Sequence, residues 1–186
     1  RLACVTGVQT CALPIYQRMA YIYVLDQTLS MSALAEELKK DNRIDIIAWK
    51  EDPWIRVESG AIPGALHFKK ADEMKDEYDE KWKIRGNLEI LDLKVKNGVI
   101  TYHKFPDALA RLYGALFSQN GRFFVVNAKP GYEFKAQLTP AHPSAAHGSL
   151  HRHETLVPLI ISGTKETPNN LRLIDLKDFI LRQIGL

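Results

Sequence analysis

Cysteine is almost absent from this chain of 186 residues, and its two cysteines, Cys4 and Cys11, both lie within the first fifteen positions. Beyond residue 15 there is no thiol, so a zinc site in that part must be built from histidine, aspartate and glutamate. Because both cysteines lie in one short terminal segment, cysteine usage does not indicate the redox compartment of the protein.

Long apolar runs and clustered charge are also lacking. No stretch approaches the roughly 20 apolar residues that a membrane-spanning helix needs. The formal net charge is +3 and falls by one unit, to +2, without Arg1, which is far from the basic excess of a nucleic-acid-binding domain. No glycine-rich phosphate loop of the Walker or Rossmann type occurs. We therefore expect no membrane segment in this chain and no nucleic-acid polymer as its partner.

The first fifteen residues differ in origin from the rest of the chain in our interpretation. Residues 5–15 resemble the in-frame translation of a common sequencing-library adapter. An exported leader is the alternative, but polar residues interrupt the apolar run and a basic region is nearly absent. We interpret residues 1–15 as non-native, so a disulfide between the two cysteines is not expected. Any true signal peptide would lie further upstream.

Residues 16–186 have the length and apolar content of one globular unit with an α/β fold. The largely apolar stretches 20–25, 44–49, 123–126 and 156–161 are typical of buried strands. Ser30 or Ser32 is a suitable N-cap for a helix over residues 33–40. Further helices are predicted over residues 108–117, after Pro106, and from Asp175 or Lys177 to Gly185. Strands that alternate with helices predict a layered sheet.

Residues 50–104 differ in character, because short strand patterns alternate with turn signals there. Asn97-Gly98 is a strong hairpin turn. The strand patterns lie at residues 54–58, 65–68, 88–93 and 99–102. We interpret this region as a small antiparallel insertion or cap, and its charged run, residues 69–83, as a solvated loop or helix.

A polar loop around His147 leads directly into the last apolar run. Residues 127–153 form a long predicted loop, and loops of this size in compact domains are often functional. A neutral imidazole is a good zinc ligand, and Gly148 allows the sharply turned backbone that aiming it requires. His147 is therefore the candidate metal ligand.

The motif His147-Gly148-Ser149-Leu150, followed by the apolar run from Leu156, resembles the last metal-ligand loop of the alkaline phosphatase superfamily. It is most similar to the type I phosphodiesterase and nucleotide pyrophosphatase group. Residues 123–134 resemble the strand and loop that lead to this motif, and residues 171–186 resemble the ending of superfamily phosphatases. Many members have Asp-Leu-Ala-Pro-Thr where this chain has Asp-Leu-Lys-Asp-Phe.

The resemblance implies a metal-dependent phosphoric-ester hydrolase that acts on a small phosphorylated substrate. Members hold two divalent metal ions, usually zinc, through Asp and His, and a Thr or Ser hydroxyl between them is the nucleophile. His147 carries over as a metal ligand. The nucleophile, the Asp-x-x-x-His pair and the Asp-His pair have no counterpart here. We therefore expect the C-terminal part of a larger enzyme, inactive alone, since one histidine does not make a zinc site.

Other polar residues of the long loop are weaker candidates. His142 is a candidate for contact with a metal ligand or the substrate. Lys129 and Tyr132 flank a Pro-Gly turn and are candidates for contact with a phosphate group. His147 and His151 have the spacing of a helical zinc pair, but the glycine that follows His147 argues against a helix.

The sequence leaves two alternatives to this function open. The chain is either a fragment of another superfamily branch, a sulfatase or a cofactor-independent phosphoglycerate mutase, or a non-catalytic binding module. The branches differ in upstream residues that this chain does not contain. A binding module requires a self-sufficient core, whereas strands that are apolar on both faces require neighbours on both sides.

Overall fold

The structure, a computed structural model, describes residues 10–15, 17–135 and 147–185, the first six as backbone only. The chain divides into a large unit, residues 1–156, and a small C-terminal unit, residues 157–186. The fold is mixed α/β. In the described ranges no helix is long and apolar enough to cross a membrane.

Nine described strands form one sheet in the large unit. They are β1 (Thr10–Ile15), β2 (Met19–Val24), β3 (Ile44–Glu51), β4 (Trp54–Glu58), β5 (Leu66–Asp76), β6 (Lys81–Gly86), β7 (Leu93–Lys96), β8 (Val99–Tyr102) and β9 (Phe123–Ala128). Their order is β1-β2-β9-β3-β4-β5-β8-β7, and β6 pairs with β5. All pairs are antiparallel except β5 with β8.

The described helices are α1 (Met31–Lys39), α2 (Ala108–Phe117), α3 (Arg152–Thr155) and α4 (Leu176–Gln183), with 3₁₀ turns at Leu88–Leu91 and Leu173–Asp175. The predicted capping of α1 is confirmed, since Ser30 Oγ accepts a hydrogen bond of 3.4 Å from the Ala33 amide. The terminal helix is confirmed as α4, and it belongs to the small unit.

One helix packs on each face of the central strands. Successive side chains of a strand point to opposite faces, so in β3 Ile46 and Ala48 join the core under α2, while Ile47 and Trp49 join the core under α1. Both faces are therefore buried, which explains why apolar residues predominate on both faces of β3 and β9. The predicted α/β class is confirmed in coarse form, as a mostly antiparallel sheet with few helices.

The β-rich region is continuous with the rest of the sheet, because β4 pairs with β3 over five register positions. The predicted hairpin at Asn97-Gly98 is confirmed, and both residues have positive φ, 53° and 75°. The description of residues 50–104 as an insertion or cap stays a prediction. Residues 10–15 pair with β2. This pairing does not test whether their sequence is native.

Two predictions within this region are wrong. Residues 69–83 form most of the β5–β6 hairpin instead of a loop or helix, because Trp82 is fully buried and its indole donates a 2.9 Å hydrogen bond to buried Asp76. Residues 88–91 form a 3₁₀ turn instead of a strand, because the Asn87 side chain accepts from the Glu89 amide at 3.0 Å and caps it.

The predicted strand over residues 156–161 is also wrong. Val157 and Ile160 are 77% and 90% exposed, and none of the described strands pairs with this segment. An apolar strand forms only where a neighbouring strand can satisfy its backbone, so this sequence remains unpaired in the described part of the chain.

Candidate functional site

The predicted metal ligand lies where β2 begins and β9 ends. The His147 backbone forms an isolated parallel bridge with Gln17, two residues before β2. His147 is exposed to solvent. Gly148 has a φ of 97°, in the region that favours glycine, which confirms the sharp turn expected after the histidine.

The residues that follow the turn are fixed in the core. Ser149 and Leu150 are 0% and 1% exposed. The Leu150 amide donates a 2.8 Å hydrogen bond to Asn127 Oδ1, and Asn127 is a buried residue of β9. The side-chain amide of Asn127 in turn donates to the Ala128 carbonyl at 3.2 Å. A side chain at the end of the central strand therefore holds the loop.

The guanidinium of Arg111, from α2, binds the same loop at three points. It donates to the carbonyl oxygens of Ser149 and Leu150 at 2.8 and 3.1 Å and to Thr155 Oγ1 at 3.0 Å. Burial lowers the pKa of Arg111 from its usual value, while the charge of Asp107 acts in the opposite direction. Arginine stays protonated in proteins, so this is a partly buried cation surrounded mainly by neutral oxygen acceptors.

A third anchor is the carboxylate of Glu154, in α3. Its Oε1 lies 2.8 Å from the Arg18 guanidinium, and its Oε2 accepts a 3.1 Å hydrogen bond from the Ser149 amide. Arg18 also donates to the Lys129 carbonyl at 3.1 Å. The loop is thus connected to the start of β2, the end of β9 and α2.

His151 has a capping role in this structure. It precedes α3, and its Nδ1 accepts from the His153 amide at 3.5 Å. Its ring packs edge-on against Phe105 and stacks on His153. Burial lowers the pKa of His151, and the positive charges of Lys104 and His153 lower it further. Because α3 begins only at residue 152, His147 and His151 do not share a helix, as expected.

The weaker candidates are only partly brought together. Lys129 lies directly after β9, where its amide donates to the Arg43 carbonyl at 2.8 Å and its carbonyl accepts from Arg18 and from the Tyr132 amide. Tyr132 is 46% exposed. Lys129 and His147 therefore lie at the same end of the paired strands β2 and β9. His142 lies outside the described residues.

Within residues 17–135 and 147–185, no group of three or more metal-binding side chains is placed to hold an ion. In the described part, His147 therefore remains a candidate ligand, on a loop whose following residues are held by hydrogen bonds. A catalytic zinc typically needs three protein ligands and a water, so further ligands are required for a working site.

Asn127 and Arg111 hold the loop, and the sequence patterns did not identify them. The composition of their elements marks both residues. Asn127 is the one strongly polar residue in the apolar β9, and Arg111 is the one charged residue in α2. A polar side chain within an apolar element needs a buried partner, because an unpaired one is costly.

A cavity of about 360 Å³ lies at the other end of β9, beside Phe123. The positively charged side chains that line this cavity already bind other groups of the protein. Lys50 Nζ lies 5.3 Å from the Phe117 ring centroid and donates to the Gln119 carbonyl, and Arg122 donates to the Gln27 and Leu29 carbonyls. Asp52 also lines the cavity, and because both cations already have protein partners we assign it no ligand.

Comparison with protein-family models gives no match, and neither a curated protein nor a solved structure matches the chain.

Proposed function

We propose that this chain is the C-terminal part of a metal-dependent phosphoric-ester hydrolase of the alkaline phosphatase superfamily, of the phosphodiesterase and nucleotide pyrophosphatase type. One observation carries the proposal. The exposed His147, in the motif that resembles the superfamily's last metal loop, stands next to a segment that is buried and fixed at the sheet end by Asn127 and Arg111. A metal ligand needs such a support, since its orientation sets the coordination geometry.

His147 would bind one of two divalent metal ions, most simply zinc, through a ring nitrogen of its neutral imidazole. The metal pair would supply activation of a Thr or Ser hydroxyl and neutralisation of the phosphoryl oxygens. Within this chain, Gly148 provides the turn and the buried Ser149 fixes the loop. Lys129 and Tyr132, which follow β9, would contact a phosphate group of a small substrate.

Exposed apolar side chains near the C-terminus support the proposal that this chain is part of a larger protein. Nine of the thirteen exposed large hydrophobic residues in the described ranges lie between Leu156 and Ile184, with Leu171 and Leu173 80% and 83% exposed. Exposed apolar residues concentrated in one segment often mark a surface that contacts another part of a protein. We propose that in the complete protein this segment packs within a larger alkaline phosphatase-like sheet, together with the nucleophile and the remaining ligands.

A non-catalytic binding module is the second candidate. It is favoured by the core of the large unit, which α1 and α2 close on both faces of the sheet. A sulfatase or phosphoglycerate mutase branch would share His147 and differ upstream of Tyr16.

The test has two parts. The 186-residue chain should hydrolyse neither p-nitrophenyl phosphate nor bis-p-nitrophenyl phosphate, with or without zinc. The complete coding sequence should contain a Thr or Ser after a strand, an Asp-x-x-x-His pair and an Asp-His pair upstream of Tyr16. Turnover by the chain that His147→Ala abolishes would refute its incompleteness. An upstream sequence without these motifs would favour the binding module.

A further inference from the structure

We propose that Arg111 is the positioning residue for His147, and that it holds the loop in its binding conformation before any metal is present. The significance of this inference for catalysis rests on the proposed function. The positioning itself is a property of the chain and is tested without metal.

Arg111 is the one of the three anchors that connects both ends of the loop. Its guanidinium bonds to the Ser149 and Leu150 carbonyls at the start of the segment and to Thr155 Oγ1 at its end. Thr155 Oγ1 also contacts the His151 carbonyl at 3.0 Å. The loop is thereby closed around one planar cation, whereas Asn127 reaches only the Leu150 amide.

The geometry requires a guanidinium. Its donors form a rigid planar fork, whereas a lysine ammonium is a compact group on a flexible stem that cannot reproduce the fork. The carbonyl groups that it binds belong to Ser149 and Leu150, which are buried, so water does not readily replace a lost bond. Arg111→Lys therefore keeps the positive charge and removes the forked set of hydrogen bonds to the loop.

The connection to His147 is short. Only Gly148 separates the histidine from Ser149, whose carbonyl accepts the 2.8 Å bond from Arg111 and whose amide donates to Glu154. Because both backbone groups of Ser149 are held, the direction in which the chain leaves toward His147 is fixed. Without the guanidinium, one of these two constraints is lost.

The chain contains a matched control in Arg122. Its guanidinium also donates to backbone carbonyls of a distant segment, those of Gln27 and Leu29. Arg122 lies directly before β9, at the opposite end of the strand from Asn127. Arg122→Lys therefore makes the same chemical change away from the His147 loop.

The experiment is NMR on the labelled 186-residue chain in EDTA, for wild type, Arg111→Lys and Arg122→Lys. We expect Arg111→Lys to speed amide exchange at Leu150 and His151 at least tenfold relative to β3, and to move the His147 ring signals toward random-coil positions. Arg122→Lys should change neither. A loop unaffected by Arg111→Lys, or affected equally by both variants, would overturn the proposal.

The proposed function can fail independently. If the complete protein keeps full phosphodiesterase activity as His147→Ala while Arg111→Lys still loosens the loop, the positioning is upheld and the catalytic role of His147 is refuted. If His147→Ala inactivates the complete protein while Arg111→Lys leaves the loop unchanged in the chain, the function is upheld and the positioning by Arg111 is refuted.

Discussion

Arg18 and Glu154 form an ion pair of 2.8 Å in which the side chains are only 7% and 14% exposed. The pair joins the residue before β2 to α3, 136 positions later in the chain. The same carboxylate accepts the Ser149 amide. The conformation of the His147 loop and the stability of the sheet end are therefore coupled through the half-buried carboxylate of Glu154.

Removing that acid should be costly. Glu154→Ala leaves the Arg18 guanidinium buried without its charge partner, and breaking a buried pair in this way typically costs about 3–5 kcal/mol. Glu37→Ala is the control, because its pair with Lys40 is largely exposed and such pairs contribute about 0–1 kcal/mol. Urea unfolding curves measure both free energies. Equal losses in the two variants would show that the Arg18 pair is solvated.

Asn127→Ala should destabilise the large unit by about 1–3 kcal/mol, because the Leu150 amide loses its acceptor in a fully buried position. Gln27→Ala removes a hydrogen bond to the Leu25 carbonyl that is exposed, and it should change stability by less than about 0.5 kcal/mol. Thermal unfolding monitored by circular dichroism separates the two. A neutral Asn127→Ala would contradict the anchoring of the loop at β9.

Two glycines should respond in opposite directions to alanine. Gly148 has a φ of 97°, so Gly148→Ala forces a strained backbone and should cost roughly 1–2 kcal/mol. Gly114 lies within α2, and a Cβ added there meets nothing within 4 Å. Gly114→Ala should therefore stabilise by about 0.5–1 kcal/mol. Chemical denaturation of both variants gives the comparison, and a loss of stability at Gly114 would contradict the helix geometry.

Stability should fall as the pH drops through the titration of His151. Burial and the charges of Lys104 and His153 lower its pKa in the folded protein, outweighing the opposite effect of the nearby Asp45 and Glu154. The unfolded chain, with a histidine pKa of about 6.5, then binds the proton first. The contribution of neutral His151 to stability is complete above the pKa of the unfolded chain. It is lost as the pH falls from that pKa to the lower pKa of the folded protein.

His151→Asn tests this pH dependence, because asparagine keeps an N-cap acceptor and does not titrate. The variant should lose less stability than wild type between pH 7 and pH 5 in urea titrations. His67, whose pKa burial also lowers, supplies a separate pH-dependent component that remains in the variant. Identical pH profiles for wild type and His151→Asn would show that His151 titrates alike in both states.

The strands and helices of the central core were predictable because their patterns are local. The apolar run of β3 and the pattern of α2 give the positions of those elements directly. The β5–β6 hairpin was missed because charged residues on its exposed face mask the buried positions, among them Trp82. Residues 156–161 have a strand sequence, but strand formation depends on a partner that the described part of the chain does not provide.

The anchoring of the candidate site was not predictable from sequence. Asn127 and Leu150 are 23 positions apart, and Arg111 and Ser149 are 38 positions apart. Neither separation follows any local periodicity. His147 and the turn at Gly148 were identified from a short motif, whereas the buried contacts that hold the motif depend on the arrangement of β9, α2 and α3 in space.

Metal content tests the central claim most directly. The complete protein, purified with zinc and freed of loosely bound ions, is analysed by mass spectrometry as wild type and as His147→Ala. If His147 is a ligand of a two-metal centre, the wild type holds about two zinc ions per chain and the variant loses at least one of them. The same zinc content in both proteins would contradict the account.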